Sequence, residues 1–258
     1  MSELAEEILR SRKYAQVDRA VVERICAATV PKFAKRKDVI KAVKKELHII
    51  HESFLQDECH AKAVAILETH PRVDKDIALQ LMALHASTKE RISQATEIYA
   101  FISRYVTDEN CVVDIGCGFN PFALPFFTKQ PKDYAAFDIN TATVQTLNKF
   151  FELGGMLYEA RLCDAVAQTP GVQGDVLFMF KLFPLLERQE KGRAFGLLRA
   201  MEWKTAIVSF PLKSASGKEK GMEAFYTAQF EGGLPSEFAI IERVKFANEM
   251  FYVVGKQL

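Results

Sequence analysis

The chain lacks the compositional features of several protein classes. Its 258 residues include only 13 Gly and nine Pro, which excludes collagen-like and linker-rich architectures. No segment approaches the roughly 18 consecutive apolar residues that a membrane-spanning helix needs. The start of the chain carries Glu3, Glu6 and Glu7 and no long apolar segment before a cleavage site. We therefore expect no export signal, no membrane association and a cytoplasmic protein.

Cysteine and histidine are too few and too scattered to indicate a metal centre. None of the five cysteines forms a Cys-x-x-Cys pair, and none of the five histidines belongs to a His-Glu-x-x-His pattern. An odd number of dispersed cysteines also argues against a disulfide framework. We expect reduced thiols and no metal.

The sequence does contain an ordinary globular composition with one unusual segment. Hydrophobic residues make up 49% and charged residues 26% of the chain, which supports a sizeable packed core. The net charge of the whole chain is only +1. Between Ile8 and His48, however, twelve Lys or Arg residues stand against four Asp or Glu residues, a local net charge of +8.

The basic segment includes an amphipathic helix. Val39, Val43 and Leu47 recur at helical spacing and predict a buried face. Another face of the same helix is cationic and carries Lys41, Lys44, Lys45 and His48. A solvated surface would explain this stripe, and so would a surface that contacts a phosphate backbone.

Residues 1–84 predict a helical domain, because no alternating strand pattern interrupts them. The helical segments are 4–14, 18–29, 38–54, 60–69 and 75–84. Ser87 and Glu90 then match a capping box, in which Ser87 caps a helix that continues to Ile102.

From Cys111 onward, short apolar runs alternate with helical patterns, which predicts an α/β fold for residues 85–258. The candidate strands are 111–116, 134–138, 156–164, 175–180, 205–211, 238–246 and 249–255. Such alternation with nearly continuous apolar strands indicates a doubly wound, Rossmann-like sheet. Only Ala247 and Asn248 separate the last two strands, so we expect an antiparallel hairpin at one edge.

A glycine-containing loop after the first strand predicts an adenosine site. Gly116 and Gly118 permit a tight turn with bare backbone against the ligand. A dinucleotide enzyme would carry a third glycine where this chain has Pro121. The second strand ends at Asp138, 24 residues after Asp114, the interval that places a carboxylate under the ribose hydroxyls.

S-adenosyl-L-methionine fits this loop because it contains adenosine but no phosphate. We expect Arg91, in the first turn of the helix capped by Ser87, to bind the carboxylate of the cofactor. We expect Asp164, at the end of the third strand, to accept a hydrogen bond from the adenine amino group. Either residue is also explained as an ordinary surface charge.

Five longer strings carry a family resemblance: HASTKER (85–91), DIGCGFNPFALP (114–125), FKLFPLLERQ (180–189), SFPLKSASGKEKGME (209–223) and FEGGLP (230–235). They closely resemble the Arm family, the aminoglycoside-resistance methyltransferases of 16S ribosomal RNA, and the resemblance extends from about Arg12 to Met250. It implies a helical RNA-binding domain followed by a class I methyltransferase domain. It further implies methylation at N7 of one decoding-site guanine, of the guanine-1405 type, in the assembled small ribosomal subunit.

The resemblance also implies which residues bind. The implied cofactor contacts are Phe54, His85, Ala86, Ser87, Arg91, Gly116, Asp138, Asp164, Ala165, Phe180 and Gln189. The implied RNA contacts are Lys41, Lys44, Lys45, His48, Lys213, Lys218, Met222, and Arg188 at the start of its helix.

The chemistry implied at guanine N7 requires no general base, because N7 carries a lone pair and no hydrogen. Positioning can suffice, and we name no catalytic base. The target base is expected to leave the stack, since N7 of an RNA helix faces a deep, narrow groove. Two other functions stay open: a non-catalytic rRNA-binding or assembly factor, and a methyltransferase that acts on another substrate.

Overall fold

The structure is a computed structural model and describes residues 2–51, 58–70, 72–212 and 221–257. The predicted contact residues Phe54, Lys213 and Lys218 lie outside these ranges. The helices within them are α1 (Ser2–Leu9), α2 (Arg19–Thr29), α3 (Arg36–Ile50), α4 (Cys59–Thr69), α5 (Lys75–Met82), α6 (Ala86–Lys89), α7 (Ala95–Ile102), α8 (Thr141–Leu153), α9 (Phe183–Gln189), α10 (Arg193–Ala200) and α11 (Met222–Gly233). The strands are β1 (Cys111–Ile115), β2 (Asp133–Asp138), β3 (Glu159–Leu162), β4 (Val176–Phe180), β5 (Thr205–Pro211), β6 (Phe238–Lys245) and β7 (Glu249–Lys256).

The strands form one seven-stranded sheet in the order β3-β2-β1-β4-β5-β7-β6. The first five strands pair in parallel, and β7 runs antiparallel to both β5 and β6. The predicted doubly wound sheet with a C-terminal antiparallel hairpin is confirmed. The chain changes direction across the sheet between β1 and β4, and ligands of such sheets bind at the carboxyl ends of the strands flanking that point.

The central strands read as continuous apolar runs because both faces of the sheet are covered. All five residues of β4 are buried, and alternate residues enter different cores. Phe178 and Phe180 pack in one hydrophobic cluster, whereas Leu177 and Met179 pack in another. Their alternation places the two clusters on opposite faces of the sheet.

The N-terminal helices form a third hydrophobic cluster, which runs from Leu4 to Ile50 and includes buried residues of α1, α2 and α3. The buried residues of α4 and α5, among them Leu67 and Leu81, instead pack in a cluster of the sheet. The division at residue 84 stays a prediction, while the cores place α4 and α5 with the sheet.

The predicted capping box at Ser87 is wrong. The residue that precedes α6 is His85, in extended backbone conformation and without a side-chain capping bond. Ser87 lies inside α6, and its hydroxyl contacts Nδ1 of His85 at 2.9 Å. Glu90 pairs with Lys181 instead of capping a helix start. α6 ends at Lys89, and a longer helix begins only at Ala95.

Candidate cofactor and RNA site

A cleft lies at the carboxyl ends of the parallel strands. It brings together eight of the predicted cofactor residues: His85, Ser87, Gly116, Asp138, Asp164, Ala165, Phe180 and Gln189. Ala86 and Arg91 do not line it. Polar groups from several strand ends therefore converge with an aromatic wall, an arrangement typical of small-molecule sites.

The glycine loop forms one wall of the cleft in a conformation that requires glycine. Gly116 has φ +64° and Gly118 has φ +49°, values that side-chain-bearing residues rarely adopt. A Cβ atom on Gly118 would lie 2.9 Å from Nε2 of His85, and one on Gly116 would lie 2.8 Å from the Leu182 side chain. The loop consequently presents backbone to the cleft.

Two backbone amides fix the orientation of the Asp138 carboxylate. Its Oδ2 accepts a 2.9 Å hydrogen bond from the backbone N–H of Gly118, and its Oδ1 accepts one of 2.9 Å from the backbone N–H of Asn140. Burial raises the pKa of Asp138, against these two amide bonds, which lower it. Each carboxylate oxygen keeps acceptor capacity, so the residue can accept from two hydroxyl groups.

Asp164 receives a partner that sequence reasoning missed. Arg24 of α2 donates from Nε to Oδ2 of Asp164 at 2.5 Å and from Nη2 to Oδ1 at 3.1 Å. The same Nη2 donates to Oε1 of Gln189 at 2.9 Å. These partners are 140 and 165 residues away from Arg24 along the chain. No local sequence pattern predicts such contacts.

The Arg91 side chain is hydrogen-bonded to Glu249 and to Asn120, which lies next to the glycine loop. Its Nε and Nη2 donate to the two carboxylate oxygens of Glu249 at 2.8 and 2.7 Å, and Nη1 donates to Oδ1 of Asn120 at 2.9 Å. The prediction that Arg91 occupies a first helical turn is wrong, because its own N–H donates to the carbonyl of Thr88. Direct binding of the cofactor carboxylate by Arg91 stays a prediction.

Asn120 extends this hydrogen-bond network to Asp114, the acidic residue of β1. Its Nδ2 donates to Oδ2 of Asp114 at 2.8 Å, and the hydroxyl of Tyr134 donates to the same oxygen at 2.6 Å. Burial raises the pKa of Asp114 to about 6. Its Oδ1 is buried and has no hydrogen-bond partner within the described chain. Asp114 therefore fixes the loop start rather than facing the cleft.

Three histidines in this region have lowered pKa values: His51 and His85 are buried and line the cleft, whereas half-buried His60 does not line it. Burial lowers the pKa of His51 and of His60 to about 4, and that of His85 to about 3. All three are neutral near pH 7. His51 accepts a hydrogen bond from the Asn140 side chain, and His60 contacts the Thr143 hydroxyl at 3.0 Å.

Lys181 is a second residue that the sequence analysis missed. It follows β4 with φ +55°, lines the cleft, and forms ion pairs with Glu90 and with Glu249, the latter at 3.5 Å. The available signal was a lysine directly after an all-apolar strand. Through these two ion pairs, its buried ammonium group links the carboxyl end of β4 to the residue after α6 and to β7.

The predicted RNA contacts lie mainly along α3. Lys41, Lys45 and His48 are exposed, and Lys44 is half-buried. The prediction that Arg188 begins a helix is wrong, because α9 starts at Phe183 with a proline in its first turn and Arg188 falls in its last turn.

Arg188 nevertheless lies beside α3, because its Nε and Nη2 each donate to Glu46 at 3.1 Å. Met222 begins α11 and is half-buried. The structure thus brings Arg188 to the basic helix and keeps Met222 on a separate element.

Further features concern metals, thiols and membranes. Within the described ranges, no group of three or more His, Cys, Asp or Glu residues is placed to hold a metal ion. All five cysteines are free. Among the helices described, none is long and apolar enough to span a membrane.

Known proteins are similar to this chain in both sequence and fold. A family model for ribosomal RNA methyltransferases, FmrO, matches residues 10–253. The chain is 34% identical over 249 residues to a 16S rRNA (guanine(1405)-N(7))-methyltransferase of Serratia marcescens, covering 96% of each chain.

Solved structures of rRNA methyltransferases are similar to this structure. The crystal structure of the 16S rRNA methyltransferase RmtF in complex with S-adenosyl-L-homocysteine has a TM-score of 0.92 and 29% identity, covering 99% of this chain and 97% of that one. The 16S rRNA methylase RmtB has a TM-score of 0.84 and 30% identity, covering 99% and 98%. The chain therefore belongs to the FmrO family of ribosomal RNA methyltransferases, which use S-adenosyl-L-methionine as the methyl donor.

Proposed function

We propose that this enzyme methylates N7 of a decoding-site guanine of 16S rRNA, of the guanine-1405 type, in the assembled small ribosomal subunit. One observation carries the proposal: Ile50, the last residue of α3, lines the cleft at the carboxyl ends of the strands, and another face of the same helix carries exposed lysines. The name of the Serratia marcescens relative supports the choice of guanine and atom.

The cleft residues fit S-adenosyl-L-methionine group by group. Asp138 would accept from the ribose hydroxyls, and Asp164 would accept from the adenine amino group. Ile139 and Phe180 line the same cleft and would cover the apolar faces of the base. His85 and Ser87, beside the glycine loop, would face the amino-acid tail. The bound cofactor supplies a methyl group on a positively charged sulfur.

The chain's own contribution to the reaction is positioning. Guanine N7 has a lone pair and no proton to lose, so the transfer requires in-line approach within about 3 to 3.5 Å and no general base. Gly116, Asp138 and Asp164 hold the methyl donor in the cleft. No side chain has to gain or lose a proton during the step.

Basic residues on the surface would bind the RNA. Lys41, Lys45 and His48 of α3, with half-buried Lys44, would contact the phosphate backbone. Arg188 extends this surface toward the cleft through its contact with Glu46. Lys213 and Lys218, outside the described residues, and Met222 complete the proposed footprint beside the displaced base.

The proposed product would confer resistance to aminoglycosides. A methyl group on N7 gives the purine a positive charge and added bulk, which would obstruct cationic aminoglycosides in the decoding site. The proposed substrate also places the enzyme in the cytoplasm, where ribosomes are found.

Methyl transfer to defined substrates tests the proposal. The enzyme is incubated with tritium-labelled S-adenosyl-L-methionine and either small subunits or protein-free 16S rRNA. The rRNA is then treated with borohydride and aniline, which cleave at N7-methylguanine. We expect label in subunits, little in free rRNA, and one cleavage in the decoding-site helix.

Two results would contradict this function. Binding to subunits without any transfer of label would indicate a non-catalytic assembly factor. Label in protein, or in a nucleotide outside the decoding site, would indicate another substrate.

A further inference from the structure

The N-terminal helices contribute a charged side chain to the cofactor cleft. Arg24 lies on α2, whose apolar residues Val21, Val22 and Ile25 are buried in the N-terminal cluster. Its side chain leaves this cluster and lines the cleft. The residue therefore connects a helical layer to a site otherwise built mainly from strand ends.

Arg24 determines the surroundings of the Asp164 carboxylate. The Asp164 side chain is only 6% exposed, and an isolated buried carboxylate would be strongly disfavoured. The guanidinium fork of Arg24 contacts both oxygens, and the backbone N–H of Val166 donates to Oδ1 at 3.0 Å. These contacts fix the plane of the carboxylate, as a bidentate arginine does.

The contacts leave Asp164 able to accept one further hydrogen bond. Oδ1 receives two donors and Oδ2 receives one, and a carboxylate oxygen has about two acceptor sites. Arg24 also donates to Oε1 of Gln189, so one guanidinium orients two side chains that line the same part of the cleft.

We propose that Arg24 is a positioning residue that orients Asp164 and Gln189 for recognition of the adenine amino group. Through it, the N-terminal helices take part in cofactor selection as well as in RNA docking. The inference rests on the proposed function, because it assumes that adenosine occupies this cleft.

The readout is discrimination between two nucleosides that differ at one position. S-adenosylhomocysteine carries an amino group on its base, whereas S-inosylhomocysteine carries a carbonyl oxygen there. A fixed carboxylate accepts from the amino group and repels the carbonyl oxygen. Sites built around a hydrogen bond reject analogues that lack it, so we expect the unaltered enzyme to bind the adenosyl compound more tightly.

Isothermal titration calorimetry on the full chain tests the role of Arg24. In Arg24→Ala we expect about tenfold weaker binding of S-adenosylhomocysteine, in line with the loss of a charge-assisted contact. Binding of S-inosylhomocysteine should change less, so the preference between the two compounds should fall. Arg24→Lys keeps the charge but not the fork, and its preference should lie in between.

The matched control is Arg19→Ala on the same helix. Arg19 is exposed and pairs with Glu6 and Glu23 away from the cleft, so both affinities should match those of the unaltered enzyme. Thermal unfolding without ligand identifies variants that fail to fold. If Arg24→Ala does not fold, Arg24→Lys carries the test.

The outcomes separate the inference from the proposed function. A folded Arg24 variant that keeps the full preference for the adenosyl compound overturns the positioning role alone. An unaltered enzyme that binds neither compound overturns the proposed cofactor site, and the inference with it. A reduced preference in Arg24→Ala, with Arg19→Ala unchanged, supports both.

Discussion

The cleft and the basic face of α3 use charge in opposite ways. Below the cleft, Arg91 and Glu249 are almost fully buried and meet at 2.7 Å. On α3, Lys41 and Lys45 are exposed and form no ion pair with any residue that the structure describes. Fixed, paired charges suit one small ligand in one pose, whereas exposed charges suit a polyanion that exchanges counterions.

Breaking the buried pair should have the largest effect. Arg91→Met leaves Glu249 buried without its main partner, so the free energy of unfolding should fall by about 3 to 5 kcal/mol. Urea denaturation followed by circular dichroism measures it. The control is Arg104→Met, which breaks a more exposed pair with Glu242 and should cost about 1 kcal/mol or less. Equal losses of unfolding free energy in the two variants would contradict the difference between the buried and the exposed pair.

The next effect concerns the proposed ribose contacts of Asp138. Asp138→Ala should weaken binding of S-adenosyl-L-methionine at least about a hundredfold, because two hydrogen bonds to a charged acceptor are lost. Calorimetry measures the affinity. Asp133→Ala, at the exposed start of the same strand, should bind normally. An Asp138 variant with unchanged affinity would show that the ribose lies elsewhere.

His51, His60 and His85 predict a loss of stability in acid. Their folded pKa values of about 3 to 4 lie below the ordinary value of 6.5. Their contribution is therefore complete above pH 6.5 and is lost as the pH falls toward 4. Asp114, with its raised pKa of about 6, acts in the opposite direction and offsets part of this loss.

The net change from pH 7 to pH 5 should be a loss of a few kcal/mol in the free energy of unfolding. Urea denaturation at the two pH values measures it. His60→Gln should reduce the pH dependence, while His48→Gln, on the exposed face of α3, should not. Stability that is constant between pH 7 and pH 5 would contradict the burial of these rings.

The smallest effect is expected on the basic face. Each of Lys41→Ala and Lys45→Ala should weaken binding to small subunits about threefold at 0.15 M salt, and should lower the log–log salt slope by about 0.7 to 0.9. Filter binding at several salt concentrations measures both. Cofactor affinity should stay constant, and Lys129→Ala, near the start of β2, serves as the control. An unchanged slope would remove α3 from the interface.

Sequence reasoning predicted the parts of the molecule that depend on local pattern. The all-apolar run of β4 and the alternation of strands with helices indicated the sheet. Asp138 ends β2, while Gly116 and Asp164 follow β1 and β3. The carboxyl ends of these strands meet at one edge, so the convergence of the three residues could be expected.

The parts that depend on tertiary contacts could not be predicted. Arg24 contacts Asp164 although the two residues are 140 positions apart along the chain, so only the tertiary fold brings them together. Glu90 was predicted to be half of a capping box, but its side chain pairs with Lys181, 91 residues away along the chain. Arg91 was expected to be accessible to the ligand, and its pairing with Glu249 connects segments 158 residues apart.

A crystal structure with S-adenosylhomocysteine tests the central claim, that this cleft is the cofactor site, most directly. We expect the ribose hydroxyls on Asp138, the adenine amino group on Asp164 beside Arg24, and the amino-acid tail near His85 and Ser87. Electron density for the ligand at any other place, with the cleft above Gly116 empty, would contradict the account.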